Sequence, residues 1–371
     1  MGGFPVVIGL AEWISSMIDF RPFRGGLARR VSEAGGRSPL PASVLRYLLL
    51  AVGSLTLALL VWHIGPGNIY HAVARLGPVA LCVILLPSLL MYILEAYGWK
   101  VTLGRSAQAV PYWRLFAIRA AGEVVNMTTP AAYAGGEPLK AYLLRKHNVP
   151  IVEGLASVVI AKTTMTIAEV LFILVGVALG FWLLGTNGSS AQVVAGSVLG
   201  VGLLVFGVAG FVLIQRHGLF TSALGLLRKL GLPIGFLEAR ETQLKELDQT
   251  ILNFYSHHQG AFYASTGLYL LGWMAEVLEV LVIVYYLGEP AHLLSAVSIG
   301  ALSVFIKGGT FFIPGSLGAQ DGGNLLLLKA FGYSDVTGIT FALLRRFREL
   351  VWIGVGLLCL AMPGKSGVSQ E

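Results

Sequence analysis

Residues 77–99 read GPVALCVILLPSLLMYILEAYGW, an apolar run whose one formal charge is Glu95. Each helical residue adds about 1.5 Å and the hydrocarbon core of a bilayer is about 30 Å thick, so such a run predicts a membrane-crossing helix. Five more runs of this kind lie at roughly 43–64, 154–184, 191–214, 263–287 and 338–362. Two further stretches, about 107–148 and 291–334, are apolar but interrupted by Pro and Gly. The expectation is an all-α, polytopic helical membrane bundle. It has six full spans plus two broken re-entrant hairpins, or up to eight spans if the broken segments cross.

Composition supports this. Charged residues make up 12% of the 371 positions and hydrophobic ones 56%, with a mean hydropathy of +0.76. A soluble domain carries about 25% charged residues, so this chain has too little charge to coat a water-facing surface. The net charge of +7 fits Lys and Arg retained in cytoplasmic loops rather than a nucleic-acid partner. Cys82 and Cys359 lie in apolar runs and form neither a disulfide framework nor a metal spacing.

Basic residues set the expected orientation. Arg21, Arg24, Arg29, Arg30, Arg37 and Arg46 precede or open the first run. Lys100, Arg105, Arg114 and Arg119 follow the second, and Arg216, Arg228, Lys229, Arg240 and Lys245 lie in segment 215–262. The stretches near 185–190 and 288–292 contain no Lys or Arg. The positive-inside rule then places both termini in the cytoplasm of an inner-membrane protein. Residues 1–42 read as an interfacial helix or a disordered extension, 43–362 as the membrane domain and 363–371 as a tail. Segment 215–262, with Leu219, Leu224, Leu227 and Leu230 in a stripe, reads as amphipathic helices on the cytoplasmic face.

The broken segments resemble each other. Thr128 to Glu137 reads TTPAAYAGGE, and Phe312 to Asp321 reads FIPGSLGAQD. A shift of 184 residues aligns Pro130 with Pro314 and Glu137 with Asp321. It also aligns Glu95 with Glu279, Leu144 with Leu328, Arg145 with Lys329, Gly154 with Gly338, and Lys162 with Arg346. Repeat one would span about 77–184 and repeat two about 263–362. If the hairpins do not cross, an odd number of spans separates the copies and the second is inverted, as in many transporters.

Non-helical backbone at membrane depth is tolerated where protein or water satisfies it. Pro130, Gly135, Gly136, Pro314 and Gly318 mark such stretches, which line a cavity or make tight surface turns. A helix N-terminus after each break would suit an anion. Glu137 and Asp321 are either helix-capping acids or sites for a proton, a cation or a neighbouring Lys or Arg. Lys162 and Glu169 share a face of the third run, and Arg345, Arg346, Arg348 and Glu349 lie inside the last. Only 13 apolar residues, Leu350 to Met362, follow that cluster, too few for a span, so some of its cations are expected within the membrane. Three arginines against Glu349 leave a positive excess. It would bind an anionic headgroup, join a structural pair network, or snorkel. Glu95, Glu276 and Glu279 would counter these cations or carry protons, although Glu95 could instead snorkel.

No nucleophile motif, phosphate loop, dinucleotide-binding context or metal-ligand cluster stands out, so neither an enzyme nor a cofactor or metal is expected.

Gly122-Glu123-Val124-Val125-Asn126, then Pro130, Gly135-Gly136-Glu137 and Lys140 to Arg145, resembles one hallmark of the lysylphosphatidylglycerol synthase membrane-domain family. Pro314 to Asp321, followed by Gly332 and Arg345-Arg346, resembles a second. The resemblance covers roughly residues 45–362. It implies the flippase-like membrane half of those synthases, here without the soluble aminoacyl-transferase domain. Some stand-alone members are tied to hopanoid or surface-polysaccharide pathways. Asp321 stands where many relatives carry Glu. The resulting expectation is a lipid flippase in which Lys162, Arg345, Arg346 and Arg348 bind a headgroup. Glu95, Glu137, Glu169, Glu279, Asp321 and Glu349 would orient those cations or couple protons. Membrane lipids would be its partners, with a homo-oligomer or a lipid- or glycan-biosynthesis enzyme as the protein partner. The alternative is a non-transporting subunit that anchors or regulates such an enzyme.

Overall fold

The computed structural model describes residues 65–128, 135–184, 191–230, 238–310, 316 and 318–362, with isolated positions between 51 and 62. The first predicted span, 43–64, and the loop positions Pro130 and Pro314 therefore lie outside the described residues, as do 1–42 and the tail. Among the described residues the structure is all helix and short turns, without a strand.

Among the described residues eleven α-helices follow one another. They are α1 Pro66–Thr102, α2 Tyr112–Thr128, α3 Gly136–Arg145, α4 Ile151–Leu184, α5 Ala191–Arg216 and α6 Leu219–Lys229. The remainder are α7 Glu241–His257, α8 Gln259–Tyr286, α9 Leu293–Gly309, α10 Ala319–Ala330 and α11 Asp335–Ala361. Helix α1 breaks at Gly77, where φ is 75°. The left-handed backbone there suits glycine, and Pro78 beside it has no amide hydrogen to donate. Leu76–Thr102, Ile151–Leu183 and Gln259–Tyr286 are long and apolar enough to cross a membrane. Helices α5 and α6, bent by 95°, make a fourth if counted as one span.

The 184-residue shift recurs in the helices. Helices α1 and α8 end that far apart, at Thr102 and Tyr286, and α4 and α11 begin that far apart, at Ile151 and Asp335. Helix α2 starts later than the shift of α9 implies, because the 3₁₀ turn Gly104–Gln108 lengthens the first repeat's connection. Packing repeats as well. Helix α4 packs on α9, and its counterpart α11 packs on α2. Gly154 meets Ala141 of α3, and the equivalent Gly338 meets Leu325 of α10.

The central contact, α1 on α8, fixes the relative direction of the copies. Ser265 Oγ donates to the Gly98 carbonyl at 3.0 Å, whereas Gly272 lies against Glu95 and Met91. As numbers fall along α1 from 98 to 91, those along α8 rise from 265 to 272, so these equivalent helices run antiparallel. That is the relation expected of equivalent helices in an inverted repeat.

Each hairpin is a helix pair packed across its break. Helices α2 and α3 pack together, as do α9 and α10. At 17 residues, α2 and α9 reach about 25 Å each, short of a full core. In the first hairpin the α3 N-terminus sits directly on α2. The Asn126 side-chain oxygen accepts from Gly136 N at 2.8 Å, and its amide nitrogen donates to Glu137 at 3.1 Å. A β-carbon at Gly136 would lie 2.0 Å from the Gly122 carbonyl oxygen, and one at Gly122 would lie 2.5 Å from the Lys140 stem.

Within segment 215–262, helices α6 and α7 pack on each other. Asp248 of α7 accepts from the Phe220 and Thr221 amides at 3.0 and 2.9 Å and so caps α6. Leu247, Ile251 and Phe254 pack α7 on Val152, Ala156 and Ile160 of α4.

Gly136→Ala is expected to destabilise the protein by about 1–3 kcal/mol or more through overpacking. Gly207→Ala, which meets nothing within 4 Å, should be neutral, and thermal unfolding in detergent micelles separates the two.

Candidate functional site

Where the repeats meet, side chains from α1, α2, α4, α8, α9, α10 and α11, together with α5, enclose a cavity of about 670 Å³. Met91, Met127, Met165, Leu203, Leu204, Phe305, Trp273 and Trp352 give it an apolar lining among the charged groups. Five acids line it, Glu95, Glu123, Glu169, Glu276 and Glu349, and five cations, Arg119, Lys162, Lys307, Arg345 and Arg348.

Helix register brings Lys162 to the cavity and its counterpart Arg346 to a matching depth outside the lining. Lys162 and Arg346 each lie eleven residues into α4 and α11, about 17 Å along each axis. Because the repeats are antiparallel, these residues approach the middle from opposite sides. On α4, Lys162, Thr166 and Glu169 recur at helical spacing and face the cavity together.

The arginines are already paired. Arg345 and Arg348 are 4% and 6% exposed, and Glu276 and Glu279 of α8 are 4% and 1% exposed. Arg345 contacts Glu276 directly and lies 3.8 Å from Glu279. Arg348 reaches Glu276 at 3.0 Å and also contacts Glu279. Arg346 does not line the cavity. It donates to Asp321 at 2.7 and 3.0 Å, to Glu349 at 2.7 Å and to the Ser316 carbonyl at 3.2 Å. It therefore fastens α11 to the second hairpin. Lys307 of α9 completes the chain by donating to Glu349 at 2.9 Å. The positive excess anticipated from α11 alone is thus absorbed by Glu276, Glu279 and Asp321, which sequence distance kept out of the local count.

Other expectations change in the same way. Arg119, taken as a loop cation, is buried in α2 and paired with Glu95, so Glu95 does not snorkel. Glu137 contacts Lys140 at 3.1 Å and Asn126, and Asp321 accepts from the Gly318 amide at 3.0 Å. Both acids therefore act at their helix starts, Asp321 also holding Arg346. The amides of Gly136 and Gly318 are engaged by the protein's own side chains, which removes them as free anion ligands. Gly135 is buried beside α3 and Gly318 is exposed; neither lines the cavity.

Tyr92, Arg119, Glu123, Lys307 and Trp352 escaped the sequence-based site. Tyr92 and Trp352 stack with ring centroids 3.8 Å apart, joining α1 to α11, and the Trp352 ring nitrogen donates to Ser88 at 2.9 Å. Glu123 and Lys140 stood inside the resemblance motif, and Glu123 lies on α2 one turn from Arg119. That spacing was the signal available.

The sequence from residue 45 to 357 matches the family described as lysylphosphatidylglycerol synthase TM region. This chain belongs to that family. Among its relatives is a UPF0104 membrane protein of Methanothermobacter thermautotrophicus, 26% identical over 303 residues, which cover 78% of this chain and 86% of the relative. No solved structure matches the chain. The family match covers α1 to α10 and all but the last turn of α11, and so contains every charged residue of the cavity.

In this family member, replacing Arg348 by Met leaves Glu276 and Glu279 with less counter-charge inside the membrane. The expected loss is about 3–5 kcal/mol of stability. Adding Glu279→Gln should recover part of it, because the two residues are in contact; unfolding of the single and double variants in micelles checks the coupling.

Proposed function

We propose that this chain is a lipid flippase that moves an anionic phospholipid or lipid-linked intermediate between the leaflets of the inner membrane. The observation that carries the reading is the amphipathic cavity at the junction of two inverted repeats. A headgroup needs a charged surface and acyl chains need an apolar one, and this cavity offers both. Inverted repeats with broken helices at their interface are a common plan for alternating access, in which one repeat rocks against the other. The family match supports a membrane-integral role.

In this reading Lys162 and Lys307 hold the headgroup phosphate. Their flexible stems can change partners more readily than guanidinium groups buried between two carboxylates. Arg345 and Arg348 set the positive background, and Arg346 positions the second hairpin rather than touching substrate. Membrane lipids are the partners, and the chain performs no bond-making step. Both termini are cytoplasmic, so α6 and α7 lie on the cytoplasmic face, with the first hairpin entering from that side and the second from outside.

The same pairing of every buried arginine favours a second reading, a rigid non-transporting subunit that anchors or regulates a lipid- or glycan-modifying enzyme. It would act only within a complex.

Purified protein in liposomes should equilibrate a labelled anionic phospholipid between leaflets. Lys162→Ala with Lys307→Ala should slow this about tenfold or more, the effect of losing one or two charge-assisted contacts of about 1.5–3 kcal/mol each. Folded wild-type protein that moves no tested anionic lipid would instead favour the subunit.

A further inference from the structure

Four of the five cavity acids have a cation within ion-pair reach. Glu95 has Arg119, Glu123 has Lys140 at 3.8 Å, Glu276 has Arg345 and Arg348, and Glu349 has Lys307 and Arg346. Glu169 is different. It is partly buried, lines the cavity, and among the described residues makes neither a hydrogen bond nor an ion pair. The charges around it are Lys162 on its own helix, Glu95 on α1 and Lys307 on α9. Glu276 of α8, Arg119 and Glu123 of α2, and Arg345, Arg348 and Glu349 of α11 complete the ring. Among the described residues helix α5 adds only Gly200, Leu203 and Leu204. Lys140 and Glu137 of α3 face the neighbouring void.

That void, of about 20 Å³, lies between the first hairpin and α4. It has room for one water held among polar groups. Arg119, Glu123, Lys162 and Met165 line both spaces. A file of ionisable groups therefore runs from Glu137 and Lys140 through Glu123 and Lys162 to Glu169. The last step covers two turns of α4, about 10 Å. The second repeat has its own chain, Asp321–Arg346–Glu349–Lys307, but no acid at the place of Glu169. A shift of 184 residues puts Lys307 at the place of Glu123, Asn324 at that of Lys140, and buried Ile353 at that of Glu169. Glu169 is therefore not a product of the repeat symmetry.

A carboxylate at membrane depth is costly without counter-charge. Lys162 is the nearest cation on its own helix face, and it is also the group the proposed headgroup would engage. When an anionic headgroup takes up that charge, Glu169 must gain another cation. No group of three or more His, Cys, Asp or Glu that could hold a metal ion occurs among the described residues, whereas a proton needs one acceptor. We infer that Glu169 is a proton-binding site that couples lipid movement to a proton gradient. One proton enters along the Glu137–Glu123–Lys162 file as one anionic headgroup binds, and both leave together. The inference rests on the flippase reading and names its driving force. A monoanionic lipid with one proton crosses without net charge, so the pH gradient drives it and the membrane potential does not.

The test uses the whole purified protein in phosphatidylcholine vesicles containing an acyl-labelled phosphatidylglycerol, with the potential clamped by a potassium ionophore. The end-point leaflet ratio is read, not the rate. Under an imposed pH gradient the lipid should accumulate in the leaflet facing the alkaline side, by up to about tenfold per pH unit for one proton per lipid. Glu169→Gln should end at an even distribution. An even distribution for wild type, or a persisting asymmetry for Glu169→Gln, overturns the coupling while leaving a flippase. Proton uptake on adding the same lipid to protein in weakly buffered detergent, read with a pH dye, is independent of transport. It should approach one proton per chain and vanish in Glu169→Gln. Its absence in wild type overturns the proton site even if no lipid moves in vesicles, a result that by itself would overturn the flippase reading.

Discussion

Charge brought to membrane depth must be matched there, and the pairing of Arg345 and Arg348 with Glu276 and Glu279 is where this chain meets that demand. Four ionised groups, each less than a tenth exposed, tie α11 to α8 and set the rotation of both helices. That rotation carries Glu349 toward Lys307 and Arg346 toward Asp321, and so fixes the second hairpin. It also brings Trp352 onto Tyr92, joining α11 to α1. Burying one of these charges alone would be costly; buried together in contact, each offsets the other's loss of water.

This arrangement lies within one half of the repeat, since α8 and α11 both belong to the second copy. Glu95 and Glu279 occupy equivalent positions, yet Glu95 takes its cation from α2 of its own repeat and Glu279 from α11 of its own. The acid position is reused and the cation position is not. The two halves therefore share a backbone plan while presenting different charges to the cavity. Helix α5 belongs to neither copy and closes one side with small and aliphatic residues. A cavity lined by both apolar and charged side chains is what an amphiphile needs.

Much of this was legible in sequence. Long apolar runs gave the bundle, because a chain with so few charges cannot cover itself in water. The 184-residue shift predicted the repeat, and helix ends at Thr102 and Tyr286 and starts at Ile151 and Asp335 follow it. Lys162 and Glu169 were placed on one helix face by their spacing, and both line the cavity. Arg119 was misplaced because a cation in a Pro- and Gly-broken stretch is locally indistinguishable from a loop residue. Only the approach of Glu95, from a different helix, shows that it is buried.

Local chemistry, then, was the sequence's own contribution: which segments are helical and apolar, where Pro and Gly end them, and which charges lie too deep to reach water. Tertiary structure decided which charges cancel. Ion pairs such as Arg348 with Glu279 join residues 69 positions apart, and Coulomb energy depends on distance in space, to which sequence separation is blind. The same reason explains Glu169. Its type and helix face were evident from the chain, but that, among the described residues, it is the cavity acid without an ion pair is a property of the assembled bundle.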